Sequence, residues 1–238
     1  MNLLLLDQPD LSVGNEVEVN TSRYPRRSDI WPPPIGRALR VGRLNGPMGT
    51  ALVTRSDERV VNLRIDSLDI PAPDALPLTL LLALPRPKML RRTLRTCTEL
   101  GVKQIHLINS YRVEKSYWQS PLLAAERLRE YLWAGLEQAC DTVLPTVSLH
   151  RLFKPFVEDE LPAIVSGRVG LIAHPDANVS FPSDIKHAAT LAVGPEGGFT
   201  DYELSLLISQ GFSAGSLGPR ILRVETAVPT LISRLYCR

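Results

Sequence analysis

The residues of this 238-residue chain best suited to chemistry fall in two short stretches near its end. The first is LAVGPEGGFTDYE, Leu191 to Glu203. An apolar strand-like run stops at Val193, and Gly194, Pro195, Glu196, Gly197 and Gly198 follow as a turn. Thr200-Asp201-Tyr202-Glu203 has the form of a capping box, which predicts a helix from there to Gly211. Ligands of α/β sheets bind outside the carboxyl ends of strands, and glycines let a ligand approach the backbone closely. The second stretch is LGPRILRVETAVP, Leu217 to Pro229, a glycine turn past a short predicted strand, Phe212–Leu217. There Arg220 and Arg223 stand close to Glu225 and Thr226, and a last helix is predicted from Thr226 toward Tyr236, with Pro229 in its first turn. Two such loops at adjacent strand ends, one with an acid and one with two arginines, make a candidate small-molecule pocket. Neither matches the P-loop or GxGxxG, which disfavours a dinucleotide oxidoreductase.

A second kind of chemistry is suggested upstream. Lys88, Arg91, Arg92 and Arg95 fall at i, i+3, i+4 and i+7, which places four cations on one helix face. Leu90, Leu94, Cys97 and Gly101 form the opposite, buried side. Four neighbouring cations repel one another, so an anionic partner is the attractive reading; a solvated face is the plain one. SYRVEKSYW, Ser110 to Trp118, interleaves Arg112 and Lys115 with Tyr111, Tyr117 and Trp118. Cations bind phosphates and exposed aromatics stack on unpaired bases, unless the rings simply pack back on the domain. The net charge of +2 conceals this zone: Thr79 to Arg129 alone holds ten basic and three acidic residues.

Two parts must position these residues. A proline-rich seam, IPAPDALP, Ile70 to Pro77, separates residues 1–72 from 78–238. Before it, short β runs at Leu3–Leu6, Glu16–Val19, Arg37–Val41, Thr50–Val53 and Val60–Ile65 predict a small barrel-like domain. RYPRRSDIWPPP, Arg23 to Pro34, reads as an extended loop. After the seam, strands at Leu78–Leu84, Gln104–Ile108, Val169–Ala173 and Thr190–Val193 alternate with helices at Lys88–Leu100, closed by Gly101, and Pro121–Cys140. Leu128, Leu132, Leu136 and Ala139 mark the inner face of the second helix. The alternation argues for an α/β fold with a largely parallel sheet. Three scattered cysteines (Cys97, Cys140, Cys237) and a start, MNLLLLDQPD, without a basic leader predict a cytoplasmic protein with reduced thiols. No apolar run is long enough for a membrane helix, and four scattered histidines offer no metal-ligand spacing.

The pair GPEGGFTDYE (Gly194 to Glu203) and SLGPRILRVETA (Ser216 to Ala227) closely resembles the RsmE family. These are S-adenosylmethionine-dependent methyltransferases of 16S ribosomal RNA, within the SPOUT superfamily, that act on uridine N3. LALPRPKM (Leu82 to Met89), TELGVKQI (Thr98 to Ile105) and LINSYRVEK (Leu107 to Lys115) also look like family segments. The resemblance implies a role in rRNA processing and ribosome biogenesis, with 16S RNA or the small subunit as partner. It implies a deep trefoil knot in the carboxyl-terminal domain, a homodimer, and a PUA-like amino-terminal RNA-binding domain. It places the cofactor between Val193, Gly194, Pro195, Glu196, Gly197 and Gly198 on one side and Leu217, Gly218, Ile221, Leu222 and Thr226 on the other. Lys88, Arg91, Arg92, Arg95, Arg112 and Lys115 would meet RNA. Arg223 is then the candidate to stabilise charge on the uracil, and Glu225 orients it or acts as base. Glu196 is expected to satisfy amides of its own turn. No metal is expected.

The family's His-Leu…Val-Leu-Arg segment followed by Gly-Asp is not found, Val13-Gly14-Asn15-Glu16 being at best a remnant, and His174 is given no role. The alternatives are another knotted methyltransferase, acting on tRNA or a ribose 2′-hydroxyl, and a non-catalytic RNA-binding relative.

Overall fold

The computed structural model describes residues 2–7, 15–21 and 31–236. Most of the RYPRRSDIWPPP loop, Val13, Gly14 and Cys237 lie outside the described residues. The chain divides into two compact units, Met1–Asp74 with Trp133–Leu144, and Ala75–Leu132 with Pro145–Arg238.

The first unit is built on a five-stranded sheet: β1 (Leu4–Leu6), β2 (Glu16–Asn20), β3 (Ala38–Arg43), β4 (Met48–Ser56) and β5 (Val60–Ile70). Its order is β1-β3-β4-β5-β2, with β1 parallel to β3 and the other pairs antiparallel. All five expected strands are present. Three register shifts between β4 and β5 coil the sheet, so it curls as a half-barrel with β1 and β2 at its edges. The run MNLLLL does not alternate because both faces of β1 are covered. Leu4 and Leu6 join Val17, Val41, Val53 and Leu63 in one cluster, whereas Leu3 and Leu5 pack with Met48 and Leu136 in another. The expected boundary therefore needs one amendment. Trp133–Leu144, read from sequence as part of the second domain, packs with the first, because Leu136 fills the face that Leu3 and Leu5 present.

The second unit holds a six-stranded, wholly parallel sheet, as the strand–helix alternation predicts. Its strands are β6 (Leu78–Ala83), β7 (Gln104–Ile108), β8 (Thr146–His150), β9 (Val169–Ala173), β10 (Ala189–Val193) and β11 (Phe212–Gly215), in the order β11-β9-β10-β6-β7-β8. The central strands β6 and β10 are buried throughout, as expected for strands covered on both faces. Helix α1 (Pro87–Glu99) buries Leu90, Leu94 and Cys97. Past its end the Gly101 and Val102 amides bond back to Thr98 and Cys97, a Schellman closure. Burial pushes the Cys97 thiol up to about 12, so it is an inert core group.

The helix expected from Pro121 begins later. Residues Pro121–Leu123 form a 3₁₀ turn capped by Ser120, and α2 is Ala125–Ala139. Helical turns α3 (Phe153–Pro155) and α4 (Leu161–Val165) flank a π-turn at Phe156–Glu160; α5 (Asp201–Ser209) and α6 (Val224–Leu235) complete the unit. Helix α6 starts two residues before Thr226, so Pro229 sits inside it rather than in its first turn. Among the described residues no helix is long and apolar enough to cross a membrane.

Candidate active site

Strands β9, β10 and β11 end together, and a cleft opens beyond them. The empty space between its walls, open to solvent, is about 670 Å³. One wall is the turn at residues 194–198. The Gly198 amide bonds the Pro195 carbonyl at 2.8 Å, closing a β-turn. The other wall is the turn after β11, where Ser216 Oγ accepts from the Gly218 amide at 3.1 Å. Gly198 and Gly218 have φ of +74° and +120°, which L side chains rarely adopt; these positions call for glycine.

Of the residues expected to hold a cofactor, Val193, Gly194, Pro195, Glu196, Gly198, Leu217, Gly218, Ile221 and Leu222 line the cleft. Two do not. The Gly197 carbonyl is taken by the Arg112 guanidinium, and Thr226 is exposed in the first turn of α6. Ala173, His174 and Pro175 supply a third wall that sequence reasoning gave no role. The His174 Nδ1 accepts from the Asp176 amide at 3.3 Å. Ile221 is 80% exposed and Leu222 36%, so the cleft presents apolar side chains bare to water.

The catalytic candidates are placed differently from one another. Arg220 lines the cleft; Arg223, the N-cap residue of α6, and Glu225, in its first turn, are not among the lining residues. Glu196 does not serve its own turn as expected. Its Oε2 meets the Arg86 guanidinium at 2.7 Å, tying the glycine turn to the residue before α1. Both side chains are about half exposed, so the pair positions more than it stabilises.

Glu203 does more than its capping box announced. It is 3% exposed, and its Oε2 accepts from the Thr200 amide at 2.8 Å and hydroxyl at 2.9 Å. Its Oε1 accepts from the Tyr111 amide at 2.8 Å. One carboxylate thus fastens the 110–115 loop to the element that carries the glycine turn. Local spacing reveals the cap; a partner ninety-two residues away leaves no sequence signal.

Lys88, Arg91, Arg92 and Arg95 are all exposed on α1, and Arg112 and Lys115 are exposed on the following loop. Arg95 is paired with Glu99 at 2.9 Å. The aromatics of this loop divide. Trp118 is buried, donates to Asn109 Oδ1 at 2.9 Å and lies under the Arg151 guanidinium, so it is a core residue and not a stacking platform. Tyr117 is half-buried, whereas Tyr111 is 86% exposed.

A chain that pairs this cleft with a basic helix matches known proteins over nearly its whole length. Residues 72–236 match the RNA methyltransferase domain family. The ribosomal RNA small subunit methyltransferase E of Treponema pallidum is 30% identical over 234 residues, 95% of this chain and 87% of that protein. The chain belongs to the ribosomal RNA small subunit methyltransferase E family. The Synechocystis member is 33% identical over 168 residues, which span 67% of this chain and 53% of that longer protein. The Neisseria gonorrhoeae member, a crystal structure with bound S-adenosyl methionine, superposes with a TM-score of 0.76. It is 25% identical and covers 98% of this chain and 95% of its own. The family is one of RNA methyltransferases, which agrees with the resemblance carried by the two glycine-turn motifs.

Proposed function

We propose that this protein uses S-adenosylmethionine to methylate N3 of a uridine in 16S ribosomal RNA, in the cytoplasm. The observation that carries the proposal is the near full-length match to a small subunit methyltransferase, joined to a cleft formed by the same two motifs. The lining fits the cofactor: bare Ile221 and Leu222 offer an apolar slot for a heteroaromatic ring, and glycine backbone offers its polar groups. The chemistry supplied by bound S-adenosylmethionine is an electrophilic methyl group on a sulfonium.

The chain's own residues would do the rest. Uracil N3 carries a weakly acidic proton, and its loss leaves negative charge on O2 and O4. A fixed cation is the natural device for that charge. Arg223 and Arg220 are the candidates, Arg220 because it lines the cleft, and Glu225 is the candidate to orient an arginine or take the proton. Lys88, Arg91, Arg92 and Arg95, with Lys115, would meet RNA phosphates.

The finer architecture belongs to the same proposal: a SPOUT domain with a trefoil knot, a homodimer, and a PUA-like first unit that helps hold RNA. Backbone bonds support the knot. Segment 174–188 bonds two later segments: the Phe181 amide donates to the Ser216 carbonyl at 2.8 Å, and the Asp184 and Ile185 amides donate to the Arg234 and Leu235 carbonyls at 2.9 Å.

Deleting the gene and mapping 16S RNA by mass spectrometry tests the reading. Loss of one N3-methyluridine supports it; an unchanged modification map removes it. Arg223→Ala and Arg220→Ala, measured for tritiated methyl transfer, decide which arginine acts. An arginine whose loss leaves turnover unchanged is not in the site.

A further inference from the structure

A second cleft shares no lining residue with the first. Tyr111, Phe153, Lys154, Thr200, Tyr202 and Glu203 form it. Phe153 is its buried floor, with its ring 6.2 Å from that of Phe199. Tyr111 and Tyr202 stand over it 86% and 57% exposed. Rings left this bare forgo the burial that aromatic side chains ordinarily gain. Tyr111 is not bare because its loop is loose: Glu203 holds its amide at 2.8 Å. The next residue, Arg112, spends one of its five guanidinium donors on the Gly197 carbonyl, on the turn that walls the first cleft. Exposed Lys154, 3.7 Å from the Glu158 carboxylate, also lines the cleft.

We propose that this second cleft is a subsite for an unpaired nucleobase of the RNA, next to the nucleotide that enters the first cleft. Tyr111 and Tyr202 are its stacking faces, and Arg112 and Lys154 meet the flanking phosphates. A base that undergoes chemistry must leave its stack, and its splayed neighbours then need new partners. Aromatic platforms beside cations are how proteins hold such bases. Nearby cations favour RNA over a second protein surface: Lys154 lines the cleft, Arg112 directly follows Tyr111 in the chain, and the sequence from Thr79 to Arg129 is strongly basic. The inference rests on the RNA methyltransferase reading and adds where the substrate's neighbouring base sits.

The test uses the full chain and 16S RNA transcribed with 5-iodouridine, irradiated and mapped by peptide mass spectrometry. Cross-links at Tyr111 or Tyr202 are expected. In parallel, Tyr111→Ala should raise the RNA KM roughly 5- to 150-fold, the range for losing one stacked base. It should leave calorimetric S-adenosylmethionine binding intact, because Glu203 grips the backbone of residue 111 and not its ring. Tyr111→Phe should retain near-normal KM. Absence of cross-links at both tyrosines overturns the subsite, whatever the kinetics. So does dissociation of an oligomer by Tyr111→Ala or Tyr202→Ala in light scattering, which would give this surface to a second copy. Cross-linking at Tyr111 without methyl transfer by the wild type keeps the subsite and refutes the proposed reaction instead.

Discussion

Replacing Glu203 by Ala should unfasten the site at a single point. The carboxylate accepts from two backbone amides, Tyr111 and Thr200, and from the Thr200 hydroxyl. Hydrogen bonds to a charged group contribute about 1.5–3 kcal/mol each, and a buried donor left unpaired costs about 1–3 kcal/mol. The hydroxyl can rotate to another partner, so the two amides dominate. Water can reach the Tyr111 side once the carboxylate is gone, which puts the expected loss near ~3 kcal/mol rather than at the sum of the extremes. For a domain of about 150 to 250 residues this lowers Tm by roughly 6–12 °C. Glu203→Gln keeps one acceptor but aims its amide donors at other donors, and should fall between the wild type and Glu203→Ala. Differential scanning calorimetry gives the stability, and titration with S-adenosylmethionine should show weakened binding, because the tether begins two residues past the turn at 194–198. A Tm within about 1 °C of wild type for Glu203→Ala would mean the three bonds carry no net stability, and the tether argument would fail.

Other consequences are smaller in scope. A Cβ on Gly49 would lie 1.9 Å from the Ser67 carbonyl oxygen, so Gly49→Ala should force β4 from β5 and lower the urea midpoint of the first unit while cofactor binding by the second persists. Gly218→Ala meets no neighbour within 4 Å but must adopt φ near +120°, so cofactor affinity should drop sharply with little change in Tm. His106 is pushed down to about 4 by burial and then by His150, whose Nε2 is 3.0 Å away. The unfolded chain therefore binds the extra proton between pH 6.5 and about 4. Stability should fall across that window as pH drops and stay flat above it, and His106→Gln should flatten the slope in a Tm-against-pH series. Arg86→Ala removes only a half-exposed pair with Glu196 and should cost no more than about 1 kcal/mol in urea titration.

Features written in neighbouring residues are legible in the sequence alone. The capping box at Thr200–Glu203, the glycine close of α1 and the apolar run of β6 each announce themselves within a few positions. The two glycine turns are legible as neighbours at one end of the sheet because both follow strands, and both line the cleft there. Strand β8, TVSLH, is the hardest to find because it is a short edge strand: its alternating apolar residues number only two, Val147 and Leu149, and neither is fully buried. What pairs across the chain left no trace. Glu196 could be placed in its turn but not matched to Arg86, and Trp118 reads as a stacking residue until Asn109 and Arg151 close on it. The helix α2 hid a change of unit at Trp133, because helical periodicity is the same whichever core the helix faces. Arg220 and Arg223 differ by three positions, and only folding decides which one lines the cleft.

The central claim is tested most directly by incubating the purified protein with small ribosomal subunits that lack the modification, together with methyl-labelled S-adenosylmethionine. The 16S RNA is then digested and its nucleosides resolved by mass spectrometry. The account predicts label in N3-methyluridine at one site, abolished when the cofactor cleft is disabled by Gly218→Ala. Label in a ribose 2′-O-methyl group or in another base, or no transfer at all to either subunits or free RNA, would contradict it.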